Sequence, residues 1–538
     1  MTGVWPLIKI ILRRDRIKLP IWILGISGSL LSIVPLLKDL YGDQKSLESL
    51  YATFGTNPAG LFLTGPMDGA SFGALITIET VLWWGLAVAF MNTMLVVRHT
   101  RQNEESGAQE LLLSGRVHRA SSLIAVLTVS FAVNTILGGI IGGGLAVLES
   151  SWGVSGALLF GFSMGAFGFV WAVIAGIVVQ LVGSARSANG LLAGLVGTMF
   201  VVRGIGDFTG SVGSNGLIQP GAVSWVSPFG WMQANHALTA PEWWPLIIPL
   251  LFVVVAIPCA LWLLNSRDVG ASILPEKKGN ARASALLKTQ LGLTWRLQKN
   301  VFIGWLIGAI AMVVSVGVLV PEMSTIYESN DSAMQLIEAL GGDGELIPAF
   351  LSAMLMITSV LVFAYVIHAL GRLRTEESNG YLEILLSTQL SRGAWLARHG
   401  VVVALGGMVM LVLSGTILAI SVNIATDTTA DVAEYIYAAL SYFPVVLLFG
   451  SLYVLLFGVV PRIAGLVTWL LFGFVAFMSW LGPMLQFDDW VYDLSPLEYV
   501  NAAPAEDIDV QPLAIMTGFA LVLIATGVVA WRVRDIDQ

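Results

Sequence analysis

Twelve apolar runs, each near the length that crosses a bilayer, leave this chain few folds to choose from. They lie at approximately 19–37, 72–97, 121–148, 157–182, 190–205, 245–265, 301–320, 347–370, 399–423, 434–459, 463–482 and 511–531. A membrane-spanning helix takes roughly 20 mostly apolar residues. In hydrocarbon every backbone N–H and C=O must find its partner within the protein, and a helix supplies those partners internally. The run at 190–205 is the shortest, and Gly194, Gly197 and Gly204 interrupt it. Composition agrees: of 538 residues 56% are hydrophobic and 12% charged, whereas a soluble domain carries about a quarter charged residues. The expected fold class is an all-α integral membrane protein. The first run follows a basic segment but lacks a small-residue cleavage site, so no cleavable signal peptide is expected. The one cysteine, Cys259, falls inside a run, which leaves disulfides no part.

Lysine and arginine concentrate on the cytoplasmic side of membrane proteins. With both termini placed inside, every one of the 27 Lys and Arg except Lys38, Lys45 and Arg203 falls in a cytoplasmic segment, while most of the 35 carboxylates fall in outer loops. The net charge of −8 therefore reads as a basic inner face and an acidic outer one. The expected location is a bacterial cell (inner) membrane, multi-pass, with both termini cytoplasmic.

An internal repeat organises the runs. Shifted by 273 positions, Arg101–Arg119 falls on Arg374–Arg392 without a gap, with identities at Arg101/Arg374, Glu104/Glu377, Gly107/Gly380, Glu110/Glu383, Leu112/Leu385, Leu113/Leu386, Ser114/Ser387 and Arg119/Arg392. A second echo pairs SPFGWMQAN (227–235) with SPLEYVNAA (495–503), and a weaker one pairs Arg13, Trp22 and Gly25 with Arg296, Trp305 and Gly308. The expected domains are a first six-span half at 1–265, a polar linker at 266–285 and a second six-span half at 286–538. Six spans is an even number, so the halves are expected to be parallel repeats with a pathway where they meet. Each half opens on a basic amphipathic stretch. In the first, Val4, Leu7, Ile8, Ile11 and Leu12 share one face and Lys9, Arg13 and Arg16 another. The stretch at 286–299 is its counterpart. Such a stretch is either a helix lying among lipid headgroups or an extension of the first span.

The repeated loop EESGAQELLLSGRVHR (104–119) reads as a short surface helix. Glu104 and Glu105 suit a helix N-terminus, and Ser114-Gly115 supplies a stop. Ala108, Leu111 and Leu112 are expected to face the membrane domain, with the acidic residues outward. Such a face suits a separate cytoplasmic protein, because complementary charge sets register and partner; the plain alternative is a solvated helix whose glutamates aid solubility. Gly107 and Gly380 permit close backbone approach.

This pattern of acidic residue, Gly, Glu, Leu-Leu, Ser and Arg after the second span resembles the permeases of the ABC-2 type exporter family. The two fused halves and the SPFGW of the outer loop resemble that family's actinobacterial branch of polyketide-antibiotic (tetronasin-like) exporters and multidrug efflux permeases. The resemblance implies that Glu104, Gly107, Glu110, Ser114 and Arg119, with Glu377, Gly380, Glu383, Ser387 and Arg392, couple the chain to two copies of a soluble ABC ATP-binding subunit. SPLEY in place of SPFGW, and Ser378 and Asn379 in place of Glu105 and Ser106, imply two docking surfaces that are not equivalent.

The chain has no GxxxxGK[ST] phosphate loop, so it is expected not to be an enzyme. It needs no cofactor of its own; ATP and Mg would be bound by the partner. No metal-ligand spacing and no sign of nucleic-acid binding occur. Charged residues inside spans are functional candidates: Glu79, within the second, and Arg203, at the outer end of the fifth beside Asp207, serve either the substrate pathway or helix pairing. Gly138/Gly142 and Gly139/Gly143 suit close helix packing. Trp225, Trp231, Trp243, Trp244, Trp480 and Trp490 suit an interfacial belt. Three functions remain open: export of an amphipathic antibiotic, drug or lipid driven by a partner ATPase; ion-driven secondary transport; and an antibiotic-sensing immunity protein.

Overall fold

The computed structural model describes residues 3–55, 58–115, 117–212, 218–274, 281–327, 346–425, 430–485 and 488–536. Among these it is all-helical apart from one antiparallel pairing, Ser211–Val212 with Ile218–Gln219. Among the described residues twelve helices are long and apolar enough to cross a membrane. The chain divides into two compact units, Met1–Gly279 and Asn280–Gln538. Spans 1 to 6, in the first, are Lys18–Tyr41, Phe72–Glu105, Ser121–Leu148, Ser150–Leu181, Ala185–Phe208 and Trp244–Asn265. Spans 7 to 12, in the second, are Gln290–Gly317, Pro348–Ser378, Arg392–Ala425, Val432–Val459, Pro461–Ser479 and Val510–Val533.

Several starts follow from capping. Ser71, Ser184, Asp431 and Asp509 precede apolar runs, and each side chain accepts a hydrogen bond from a first-turn N–H. Ser184 explains a departure from expectation: the run at 190–205 is one unbroken helix, Ala185–Phe208. Gly190, Gly194 and Gly197 have no neighbouring atom where a side chain would be. They lower helix propensity by about 1 kcal/mol each without breaking the hydrogen-bond ladder. The second unit also settles an alternative. Its basic opening stretch is continuous with the first span of that unit in Gln290–Tyr327, whereas Val4–Arg14 is a separate helix. That separate helix buries Leu7, Ile8 and Ile11 and exposes Trp5, Ile10 and Leu12, so Leu12 leaves the face expected for it.

Span 4 forms the centre of the first unit and is mostly buried, whereas span 6 is mostly exposed. Glycine sets the closeness of spans 3 and 4. A Cβ on Gly138 would lie 2.6 Å from the carbonyl oxygen of Gly161, and one on Gly142 would lie 2.9 Å from that of Ala157, so Gly138/Gly142 is the packing pair. Gly139 and Gly143 face open space. Between spans 2 and 3, Asn92 and Asn134 exchange side-chain hydrogen bonds of 3.1 and 2.7 Å, and the Ser130 hydroxyl donates to Asn92 at 2.5 Å. The second unit is centred on span 8, and Tyr365 takes the position matching Asn92 in the repeat.

Candidate functional site

The repeated stretch begins in the last residues of span 2 in one unit and of span 8 in the other. In the first unit two short helices, Arg101–Glu105 and Ala108–Leu113, are separated by Gly107. In the second the span helix runs on to Ser378, and Gly380 separates it from Tyr381–Leu386. Both glycines have φ +73°, and no atom lies where a side chain would be. That left-handed conformation, not crowding, is what selects glycine.

Glu104 is the last residue but one of the first short helix and points inward, contrary to the N-terminal, outward placement expected from sequence. It accepts from Arg101 at 2.5 Å and from Arg267 at 2.6 and 2.9 Å. Glu377 is held in the same way by Arg374 at 3.1 Å and by Arg534. Arg267 and Arg534 each lie just past the last span of their unit. Arg119 and Arg392 complete the correspondence, donating to the backbone carbonyls of Arg267 and of Arg534, the latter at 2.6 Å. Four repeated groups thus fasten the loop to the end of the last span, six-span unit by six-span unit. Glu105 is also turned to a structural use, accepting from the N–H of Ala185 at the start of span 5 at 2.9 Å.

The expected linker at 266–285 begins as part of this fastening. Arg267 Nε donates to Gln180 at 2.8 Å, and Ile273 and Leu274 donate their N–H groups to the carbonyls of Gln180 and Leu181 at 3.2 and 2.9 Å. Arg267 and Arg534 escaped the sequence reading because they are 267 positions apart, not 273, and so never align under the shift that reveals the loop.

The second short helix also departs from the expected facing. Its buried position is Gln109, exchanging hydrogen bonds of 3.0 and 3.1 Å with Ser122, and in the other unit Leu382. Leu111 is 78% exposed and its counterpart Ile384 68%. Glu110 and Glu383 are exposed beside them. Ser114 and Ser387 donate to the carbonyls of Leu111 and Ile384, each at 2.8 Å, which closes the helix end. Each loop therefore presents a carboxylate next to a bare aliphatic side chain on a short, firmly fixed helix. The second adds Tyr381, also exposed, where the first has Ala108.

Arg203 is engaged within the fold. It pairs with Asp207 at 3.0 Å and donates to the carbonyls of Phe62 and Leu63 at 2.8 and 3.0 Å, the carbonyl end of the helix Pro58–Leu63. Glu79 makes no ion pair among the described residues, and Ser352 occupies its place in the second unit. Opposite the repeated loop, His236 Nδ1 lies 2.7 Å from Asp68. The carboxylate holds this imidazole above its ordinary range, against an opposing contribution from burial.

One family model matches the chain twice, over residues 9–264 and 287–532; it describes the multidrug efflux system permease Rv1217c, C-terminal domain. Over 537 residues the chain is 30% identical to the multidrug efflux system permease protein Rv1217c of Mycobacterium tuberculosis (strain ATCC 25618 / H37Rv), with 99% of this chain and 95% of that relative covered.

Proposed function

Because this chain belongs to the multidrug efflux system permease family typified by Rv1217c, we propose that it is the membrane subunit of an ATP-driven exporter of the ABC-2 type. The observation that carries the reading is the exposed pair Glu110-Leu111, repeated as Glu383-Ile384. An exposed aliphatic side chain beside a carboxylate, repeated at the same place in both loops, offers a protein partner both apolar area and a charge. A soluble ATP-binding subunit docks on each loop, binds ATP and Mg itself, and places the basic face in the cytoplasm of a bacterial inner membrane, with both chain termini there. The apolar residue supplies buried area and the carboxylate sets register against a cation or N–H on the partner. The latch then gives the docked helix its purpose. Movement imposed on the loop reaches the last span of the same unit through Arg267 or Arg534, with no flexible connection between.

The cargo is an amphipathic compound such as an antibiotic, a drug or a lipid, because spans this poor in charge offer nothing to a small hydrophilic ion. Reconstitution tests the reading. The chain purified with its ATP-binding partner should hydrolyse ATP and load inverted vesicles with an amphipathic dye, and the isolated chain should do neither. Uptake by the isolated chain driven by a proton gradient would refute it.

A further inference from the structure

We propose that the second unit binds an organic cation in a cup on its acidic face, at the SPLEY segment. A cavity of about 410 Å³ opens there, lined by Tyr442, Tyr492, Tyr499, Glu498, Glu506 and Asp509 among others, and no lysine or arginine is among its described lining residues. Cavities of roughly 300–1,000 Å³ hold drug-sized ligands. Aromatic faces and carboxylates together favour a cation over a neutral or anionic molecule of the same shape.

The carboxylates are not all engaged by the fold. Asp509 caps span 12 by accepting from the N–H of Gln511 at 2.9 Å, and Glu506 accepts from that of Ala502 at 3.3 Å. Glu498 has no side-chain partner among the described residues. Tyr442 is 2% exposed, and it lines the cup.

The first unit shows that this opening is not a by-product of the repeat. There the matching residue is Gly230, and a Cβ on it would lie 2.2 Å from the carbonyl oxygen of Ser224. The turn Ala222–Val226 fills the space, and Phe229 and Ser227 are fully buried. Glycine in the first unit permits closure; glutamate in the second stands at an open cup.

In the exporter reading, on which only its biological meaning rests, the cup is a station for cationic amphipathic cargo on the side of release. Binding itself needs neither ATP nor a partner. Titration of the purified chain in nanodiscs with tetraphenylphosphonium, and with tetraphenylborate of the same shape and opposite charge, tests it. The cation should bind and the anion should not compete. Glu498→Gln, an exposed change that leaves the fold alone, should weaken cation binding about three- to fivefold, as a part-exposed charge does. Adding Glu506→Gln should bring the loss to about tenfold. Equal affinity for the two ions, or cation binding unmoved by both substitutions, overturns the proposal. Failure of ATP-driven uptake with cation binding intact would count against the exporter reading alone.

Discussion

In the first unit Glu104 lies between Arg101 and Arg267, and in the second Glu377 lies between Arg374 and Arg534. The opposite faces part company: Gly230 seals the SPFGW segment against the turn at Ser224, while Glu498 of the SPLEY segment stands in an open acidic cup. The two units agree where a loop is fastened to its last span and differ at the opposite end. The fastening of the loop is therefore the same within each unit.

The latches are alike in plan and unlike in surroundings, and this gives the largest expected effect. Arg101 and Arg267 are almost wholly buried, whereas Arg374 is about a third exposed. Removing one member of a buried ion pair leaves an uncompensated charge and costs about 3–5 kcal/mol. Glu104→Ala should therefore lower the unfolding temperature of the purified chain severely. Glu377→Ala should do so by about half as much, because solvent and the rings of Trp531 and Phe457, 4.9 and 5.3 Å from the Arg534 guanidinium, retain some compensation. Equal losses would show that burial of the arginines does not set the strength of the latch.

A smaller effect should be the same in both units. Gly107→Ala and Gly380→Ala meet no neighbour and differ from wild type only in the left-handed backbone, so each should cost about 1–2 kcal/mol. A marked difference between them, read by denaturant midpoint, would mean that the two turns are not held alike.

The smallest belongs to the first unit alone. His236 pairs with Asp68, and its pKa is raised, so the charged pair stabilises the native state fully below the unfolded value near 6.5 and is lost as pH rises through the higher folded value. The imidazole is more than a third exposed, and screening holds the contribution below about 1 kcal/mol. His236→Gln should flatten this part of the pH–stability profile. The second unit has Pro504 in the corresponding loop and contributes no such slope.

Span number, span order and the duplicated loop were legible in sequence, because bilayer thickness demands long apolar runs and identical residues at a constant spacing survive without any knowledge of contacts. The facing of the loop was not. A six-residue helix has fewer than two turns, so its periodicity fixes no face, and Gln109 with Ser122 in reach wins the inward position from Leu111. Glu104 read as an outward charge because its partner Arg267 is far along the chain and lies in a stretch whose glycine and proline resemble a linker. Arg203 illustrates the same limit: a charge in a span signals that something specific binds it, and here that is the carbonyl end of a short helix.

The claim that the duplicated loop is a docking surface is tested most directly by the exposed residues that the fold does not use. Leu111→Asp with Ile384→Asp, and separately Glu110→Lys with Glu383→Lys, should leave unfolding temperature within about the effect of ordinary surface changes, 0.5 kcal/mol. Loss of a charged contact at an interface costs on the order of 2–5 kcal/mol, roughly 30-fold or more in affinity. Co-purification of the ATP-binding subunit with each double variant, measured beside ATP-driven dye uptake, should therefore fall to background while the permease remains inserted and folded. Normal recovery of the subunit and normal uptake in both double variants would contradict the account and leave the loop a solvated surface.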